Sequence, residues 1–281
     1  MTWGAPTRFC QGQAHKMAVV PLIDSQFAVM FADQAAAPGP SGAPDAFGNS
    51  LLASVGTSGE VDVLGRFRFL DQALCRLEVT KVTPTAFVVA ARAAAATDDF
   101  DAVHSVQQDA IAIFAELNEG VLAFDPNPVS VAPQGRPIWA RGVSLIAPNT
   151  VGYAYLDGTD LTIKLTIMEI SPTTHRLRVV RGPLALHSGF SPYVSMISVP
   201  YSLESPHTLV YYQDESRNAS MLSVCSWDVA QRRLSRCEGF PWLDERLHSV
   251  SGMHLGRGMS FFAYATEEGV PYYSVFSLQA K

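Results

Sequence analysis

Charge is scarce in this chain: Asp, Glu, Lys and Arg make up only 16% of the 281 residues, and no long apolar run takes their place. The most apolar stretch, near Phe87, meets Arg92 and then an alanine tract. It falls short of the ~20 lipid-compatible residues that a transmembrane helix needs. The segment Met1 to Pro6 has no basic region followed by an apolar one, so no signal peptide is read there. The 20 Lys and Arg are scattered and the net charge is -6. That lacks the basic stripe a nucleic acid duplex requires. Cysteine is sparse too: Cys10, Cys75, Cys225 and Cys237 form no CxxC pair, which argues against a zinc ribbon. There is no GxSxG elbow, no HExxH and no P-loop. The chain is therefore read as a non-enzyme, with no catalytic residues, no cofactor and no metal site. Disorder is excluded as well, because 48% of the residues are apolar.

What the chain does have is a recurring apolar pulse. The copies are Phe27 to Phe31, Phe87 to Ala91, Val151 to Tyr155, Thr208 to Tyr212 and Ser260 to Tyr264. Their offsets are 60, 64, 57 and 52 residues, and long-period self-similarity signals a repeat architecture. The third repeat reads most clearly: strands at 139–146, 151–155, 161–170 and 176–186, with turns at Ala147-Pro148-Asn149, Asp157-Gly158 and Ser171-Pro172-Thr173-Thr174. The fourth gives strands at 193–200, 209–213, 221–229 and 233–239. The second gives 76–82, 87–91, 110–117 and 121–131, and the first 17–22, 27–32, 50–55 and 60–69. The fifth has three, at 249–255, 260–265 and 272–278.

A single four-stranded meander cannot bury both faces, whereas stacking several radially does. The expected fold class is therefore all-β: a five-bladed β-propeller, with about four antiparallel strands per blade. The blades fall near 15–74, 75–136, 137–190, 191–247 and 248–281 plus 1–14, in a single domain. An N-terminal strand near residues 7–12 is expected to complete the last blade and close the ring, leaving no open edge. The core strand followed by a Gly-containing turn, best seen at Val151 to Asp157, Leu209 to Asp214 and Phe27 to Asp33, resembles tandem propeller-type repeats. The resemblance is one of architecture. Trp227-Asp228 is the only Trp-Asp dipeptide, and the double glycines of kelch repeats are absent.

With the first strand of each repeat innermost, blade-to-blade links share one face with the loops between second and third strands. His15, His187 and His248 fall near the links, as do the aromatics Trp139, Phe190, Tyr193 and Trp242. The histidines read either as a shared site or as solvated loop residues. The aromatics read either as stacking platforms or as wedges between blades. The second loop set carries Asp33, Asp98, Asp99, Asp101, Asp157, Asp160, Asp214, Glu215, Glu267 and Glu268, either as an acidic rim or as turn formers. The inner strands together hold one carboxylate, Glu78, where a glycosidase needs a converging pair. Two long insertions, 35–49 and 93–108, occupy the same loop position in neighbouring blades. Their apolar residues, including Phe47, Phe100 and Val103, suggest a docking surface.

Cys225 and Cys237 flank a hairpin and stand roughly opposite each other, either bridged or as two small apolar residues. Asn218-Ala219-Ser220 is a glycosylation sequon, usable only in a secretory compartment. Together these features lead to the expectation of a soluble, non-catalytic propeller that serves as a protein-interaction scaffold with a protein partner, within a larger assembly. The alternative is a carbohydrate-binding, lectin-like propeller with a glycan ligand. A third reading is a hydrolase with a loop-borne site. Neither a nucleic acid partner nor a transmembrane segment is expected.

Overall fold

Each apolar pulse becomes the second strand of an antiparallel sheet, paired on both sides. In the first four sheets both faces of that strand are covered, so the pulse is apolar throughout rather than alternating, whereas in the fifth Ala263 stays exposed. In the computed structural model, which describes residues 13–34, 46–71, 74–93, 109–133, 138–191, 193–199, 206–228, 230–231, 233–256, 259–266 and 268–277, every described element is a strand. No described helix is long and apolar enough to cross a membrane.

The first sheet is β1 (Gln13–Pro21), β2 (Gln26–Gln34), β3 (Ala46–Val55) and β4 (Val61–Leu70), hydrogen-bonded in chain order. The second is β5 (Leu74–Lys81), β6 (Ala86–Ala93), β7 (Asp109–Asn118) and β8 (Val121–Phe124), with β9 (Val129–Ser130) also on β7. The third is β10 (Ile138–Ala147), β11 (Thr150–Asp157), β12 (Thr162–Ile170) and β13 (Leu177–Ser188). The fourth is β14 (Val194–Val199), β15 (His207–Asp214), β16 (Ala219–Asp228) and β17 (Arg233–Leu243). The fifth has three strands, β18 (Leu247–Gly256), β19 (Met259–Thr266) and β20 (Pro271–Ser277). These five meanders are the blades of a five-bladed β-propeller. The strand expected to complete the last blade, residues 7–12, lies outside the described residues.

One strand differs from its sequence reading. The segment 121–131 is broken into β8 and β9, because Pro126 and Pro128 between them have no N–H to donate. The Asp125 carboxylate accepts from the Asn127 backbone N–H at 3.0 Å and turns the chain there. The turn at Asn149 is as expected, with φ of 56°.

The chain divides into two compact units, Met1–Pro137 with His175–Leu177, and Ile138–Thr174 with Arg178–Lys281. In the first, blades 1 and 2 share a core of Val20, Met30, Leu52, Phe69, Phe87 and Ile113. Strands β1 and β5 adjoin there, which places the first strand of each blade innermost. In the second unit, Leu156, Leu165, Met196, Tyr212 and Trp227 fill the space between blades 3 and 4. Ile197, Leu209, Tyr211 and Phe262 fill that between blades 4 and 5. Strand β14 adjoins both β10 and β18. The approach of β10 to β14 is close enough that a Cβ on Gly142 would lie 2.6 Å from the Met196 backbone nitrogen. Only glycine fits such a contact, because backbone cannot swing aside as a side chain can. Cys225 and Cys237 are registered partners on β16 and β17 and form a disulfide, with Cα atoms 4.1 Å apart.

Candidate functional site

Blades 3 and 4 contain the same hairpin turn. In blade 3 it runs from Asp157, which pairs with Thr162, and in blade 4 from Asp214, which pairs with Ala219. Asp157 Oδ1 accepts from the Thr159 backbone N–H at 2.9 Å and from the Thr159 hydroxyl at 2.6 Å. Asp214 Oδ1 does the same with Ser216, at 3.0 and 2.6 Å. Such a carboxylate imitates a backbone turn and fixes the loop. The fifth residue of each turn has positive φ, 53° at Leu161 and 50° at Asn218. Asn tolerates that conformation; Leu holds it only because the rest of the turn is determined.

The two turns part company at their cations. In blade 3, Lys164 stands opposite Tyr155 and its Nζ donates to Asp157 Oδ2 at 2.7 Å and also to Asp160. In blade 4 the residue opposite Tyr212 is Met221, and the position of Asp160 is taken by Arg217. Asp214 Oδ2 therefore has no counterpart of Lys164. Beside it stand His187 Nε2 at 3.6 Å and the Arg217 guanidinium Nε at 3.5 Å, both beyond a good hydrogen bond. The Asp214 side chain is 2% exposed, His187 20% and Arg217 67%.

His187 reaches Asp214 from the end of β13, and its ring lies tilted over Tyr212 with centroids 4.8 Å apart. The link that follows is anchored on both sides. The Gly189 N–H donates to the Leu161 carbonyl at 2.8 Å, and the Glu215 N–H approaches the Phe190 carbonyl at 3.5 Å. Gly189 has φ of 141°, a region open to glycine. Ser191 accepts from the Gln213 N–H at 2.9 Å through its hydroxyl, locking the link against β15. The turn is also tied to the next link, since Glu215 pairs with Arg246 at 2.8 Å and the Ser220 hydroxyl donates to the Glu245 carbonyl at 2.8 Å. Within this unit, links and second-to-third-strand turns thus share a face, as the repeat pattern implies.

Protonation follows from these surroundings. Burial pulls the His187 imidazolium down, Asp214 opposes that and Arg217 adds to it; the outcome lies below the ordinary 6.5, so the ring is neutral at pH 7. Burial would raise Asp214, but the Ser216 hydroxyl, His187 and the turn N–H groups outweigh it and hold the carboxyl below its usual range. Burial likewise raises the Tyr212 phenol. The arrangement holds an ionised carboxylate and an imidazole nitrogen without a hydrogen-bond partner, His187 Nε2, both buried over an aromatic floor and flanked by the exposed Arg217 side chain. It suits a ligand with hydroxyl or amine donors and an apolar ring face.

Of the residues singled out in the sequence, His187 and Phe190 fall at this place, with Phe190 half-buried against the core between blades 3 and 4. Trp242 packs between blades 4 and 5, its ring 5.0 Å from Phe262, 5.2 Å from Tyr264 and 5.8 Å from Tyr211. His15 lies in β1, Trp139 in β10 and His248 in β18, where the backbone alone is described. Phe47 is part of β3 and not of a loop; it pairs with Asp33, and the Arg68 guanidinium lies 3.6 Å over its ring. Phe100 and Val103 lie outside the described residues. Asp214 was read from the sequence only as one of the acidic loop residues, and Tyr212 and Arg217 were not chosen as site residues. The signal that finds them is the Lys164 to Met221 exchange, visible once the two turns are aligned.

No known protein family and no curated protein matches the sequence. Solved structures do match in shape. Trypanosoma rangeli sialidase aligns with a TM-score of 0.56 at 8% identity, over 94% of this chain and 47% of that one. Sqt1 of Saccharomyces cerevisiae aligns with a TM-score of 0.51 at 9% identity, over 97% of this chain and 64% of that one. NanB sialidase of Streptococcus pneumoniae aligns at a TM-score of 0.48 and 9% identity, over 82% of this chain and 36% of that one. The chain spans between about a third and two thirds of these structures. The expectation of a protein-interaction scaffold is corrected here. Propellers of this shape include sialidases, and Phe47, expected on a docking loop, is instead a strand residue covered by Arg68. At these identities the likeness establishes the fold, that of a five-bladed member of the β-propellers.

Proposed function

We propose that the chain is a carbohydrate-binding propeller whose site is His187, Tyr212, Asp214 and Arg217 on blade 4. The observation that carries this reading is the separation of Asp214 Oδ2 from His187 Nε2, 3.6 Å, with neither atom satisfied by the other. A sugar hydroxyl can donate to the carboxylate and exchange a hydrogen bond with the imidazole at the same time. The apolar face of a pyranose then has the half-buried Phe190 and the partly exposed His187 side chain to pack on. Propellers of similar shape that handle glycans, the sialidases, lend this reading its context. It calls for one site and not five, because the Asp214–His187 pairing belongs to blade 4 alone among the described turns.

Binding without turnover is part of the proposal. A glycosidase acid must hold its proton near neutral pH, and the turn around Asp214 keeps that carboxyl ionised. The test is a glycan array followed by titration of the best ligands against wild type, Asp214→Asn and His187→Ala. Saturable binding that weakens at least about tenfold in either variant is expected, the value of one charge-assisted hydrogen bond. Undiminished binding in both variants would remove the site, and release of aglycone from chromogenic glycosides would overturn the non-catalytic part.

A further inference from the structure

We infer that the ligand group seated against Asp214 is an ammonium, so that the preferred ligands are amino sugars with a free amine. This rests on the carbohydrate reading above and narrows its ligand class. The geometry comes from the protein's own duplicate of the site. Blade 3 solves the problem of a buried aspartate by placing a primary ammonium, Lys164 Nζ, 2.7 Å from Asp157 Oδ2. Blade 4 keeps the aspartate, the turn length, the Ser/Thr donors and the tyrosine, but its residue at the lysine position is Met221. Met221 is buried in the apolar core between the two blades and carries no donor.

What replaces the lysine does not do its work. Arg217 Nε is 3.5 Å from Asp214 Oδ2 and its side chain is 67% exposed, so water screens it and a ligand displaces it at small cost. His187 is neutral at pH 7 because burial disfavours its cation. A carboxylate that is 2% exposed and ionised, with no short ion pair, favours a cationic donor over a neutral hydroxyl. An anionic sugar would meet Asp214 at close range and is disfavoured. A sugar ammonium would occupy the place Lys164 Nζ fills in blade 3, while the ring packs beside His187 and Phe190.

The experiment compares three ligands on the full chain by calorimetric titration near neutral pH. They are a glucosamine oligosaccharide with free amines, the same oligosaccharide N-acetylated, and a glucose oligosaccharide of equal length. Two variants accompany wild type: Met221→Lys, which supplies the missing ammonium internally, and Asp214→Asn, which keeps the shape and removes the charge. Wild type is expected to hold the free-amine ligand at least about tenfold more tightly than the other two. Both variants should lose that preference, with folding checked by thermal melting. If wild type binds all three equally, or prefers the acetylated ligand, the ammonium inference is wrong and the carbohydrate reading stands. If none of the array's sugars binds, both fail together. Should Met221→Lys unfold the chain, loss of preference in Asp214→Asn decides alone, and an undiminished preference there overturns the inference.

Discussion

Writing blade 4's residue into blade 3, as Lys164→Met, isolates the energetic difference between the two turns. Asp157 is fully buried and Lys164 is 11% exposed, with Nζ 2.7 Å from Oδ2. Removing one partner of a buried ion pair costs about 3–5 kcal/mol. The Thr159 N–H and hydroxyl continue to satisfy Oδ1, which puts the loss near the lower end, about 3 kcal/mol. The contact with Asp160 adds little, because that carboxylate is 47% exposed. For a chain of this size the melting temperature should drop about 6–12 °C. The double variant Asp157→Asn, Lys164→Met removes the buried carboxylate charge as well and should recover at least half of that loss. The pH profile gives a second reading. Burial pulls the Lys164 ammonium down, but bonds to Asp157 and Asp160 outweigh it, and its value ends above the ordinary 10.5. The stabilisation is therefore complete below pH 10.5 and fades as pH rises through the raised value. Denaturant titrations of the four proteins of the cycle measure the coupling. A loss under about 0.5 kcal/mol for Lys164→Met, the scale of an ordinary surface change, would refute the reasoning.

Gly142→Ala should cost at least about 1–3 kcal/mol by overpacking, since its Cβ would meet β14 backbone 2.6 Å away; thermal melting measures it. Replacing Cys225 and Cys237 together by Ser should lower stability by about 2–3 kcal/mol, from a crosslink spanning 12 residues of sequence, and non-reducing mass analysis should show the bond in wild type. Acid should weaken the fold through His187: with its value held below 6.5, the stabilising share is whole above pH 6.5 and is lost as pH falls towards the lowered value. In His187→Gln the melting temperature should change less between pH 7 and pH 5 than in wild type.

The blades were legible because a strand covered on both faces must be apolar throughout. Val151 to Tyr155 and Thr208 to Tyr212 are buried along their whole length and stand out against alternating outer strands such as β20. Turn chemistry was legible at Asn149 and Asp157, where side chains dictate the backbone. The break at 125–128 was hidden because Val121 to Val131 stays apolar enough to read as one strand, although its two prolines carry the signal. The candidate site was half legible. His187 and Asp214 each stood out, one as a link histidine and the other as a turn acid. Their approach joins two blades, and no local pattern encodes a contact between blades. Phe47 misled because an Ala/Pro/Gly-rich stretch runs straight into β3, and the strand begins before the composition changes.

The central claim is that a polar group of a sugar bridges His187 and Asp214, and the His187 ring can report on it directly. Imidazole proton shifts followed by NMR during addition of the glucosamine oligosaccharide should move His187 saturably. The His254 signals, on the fifth blade, should stay in place. Saturable binding with His187 unmoved would place the ligand elsewhere and contradict the account.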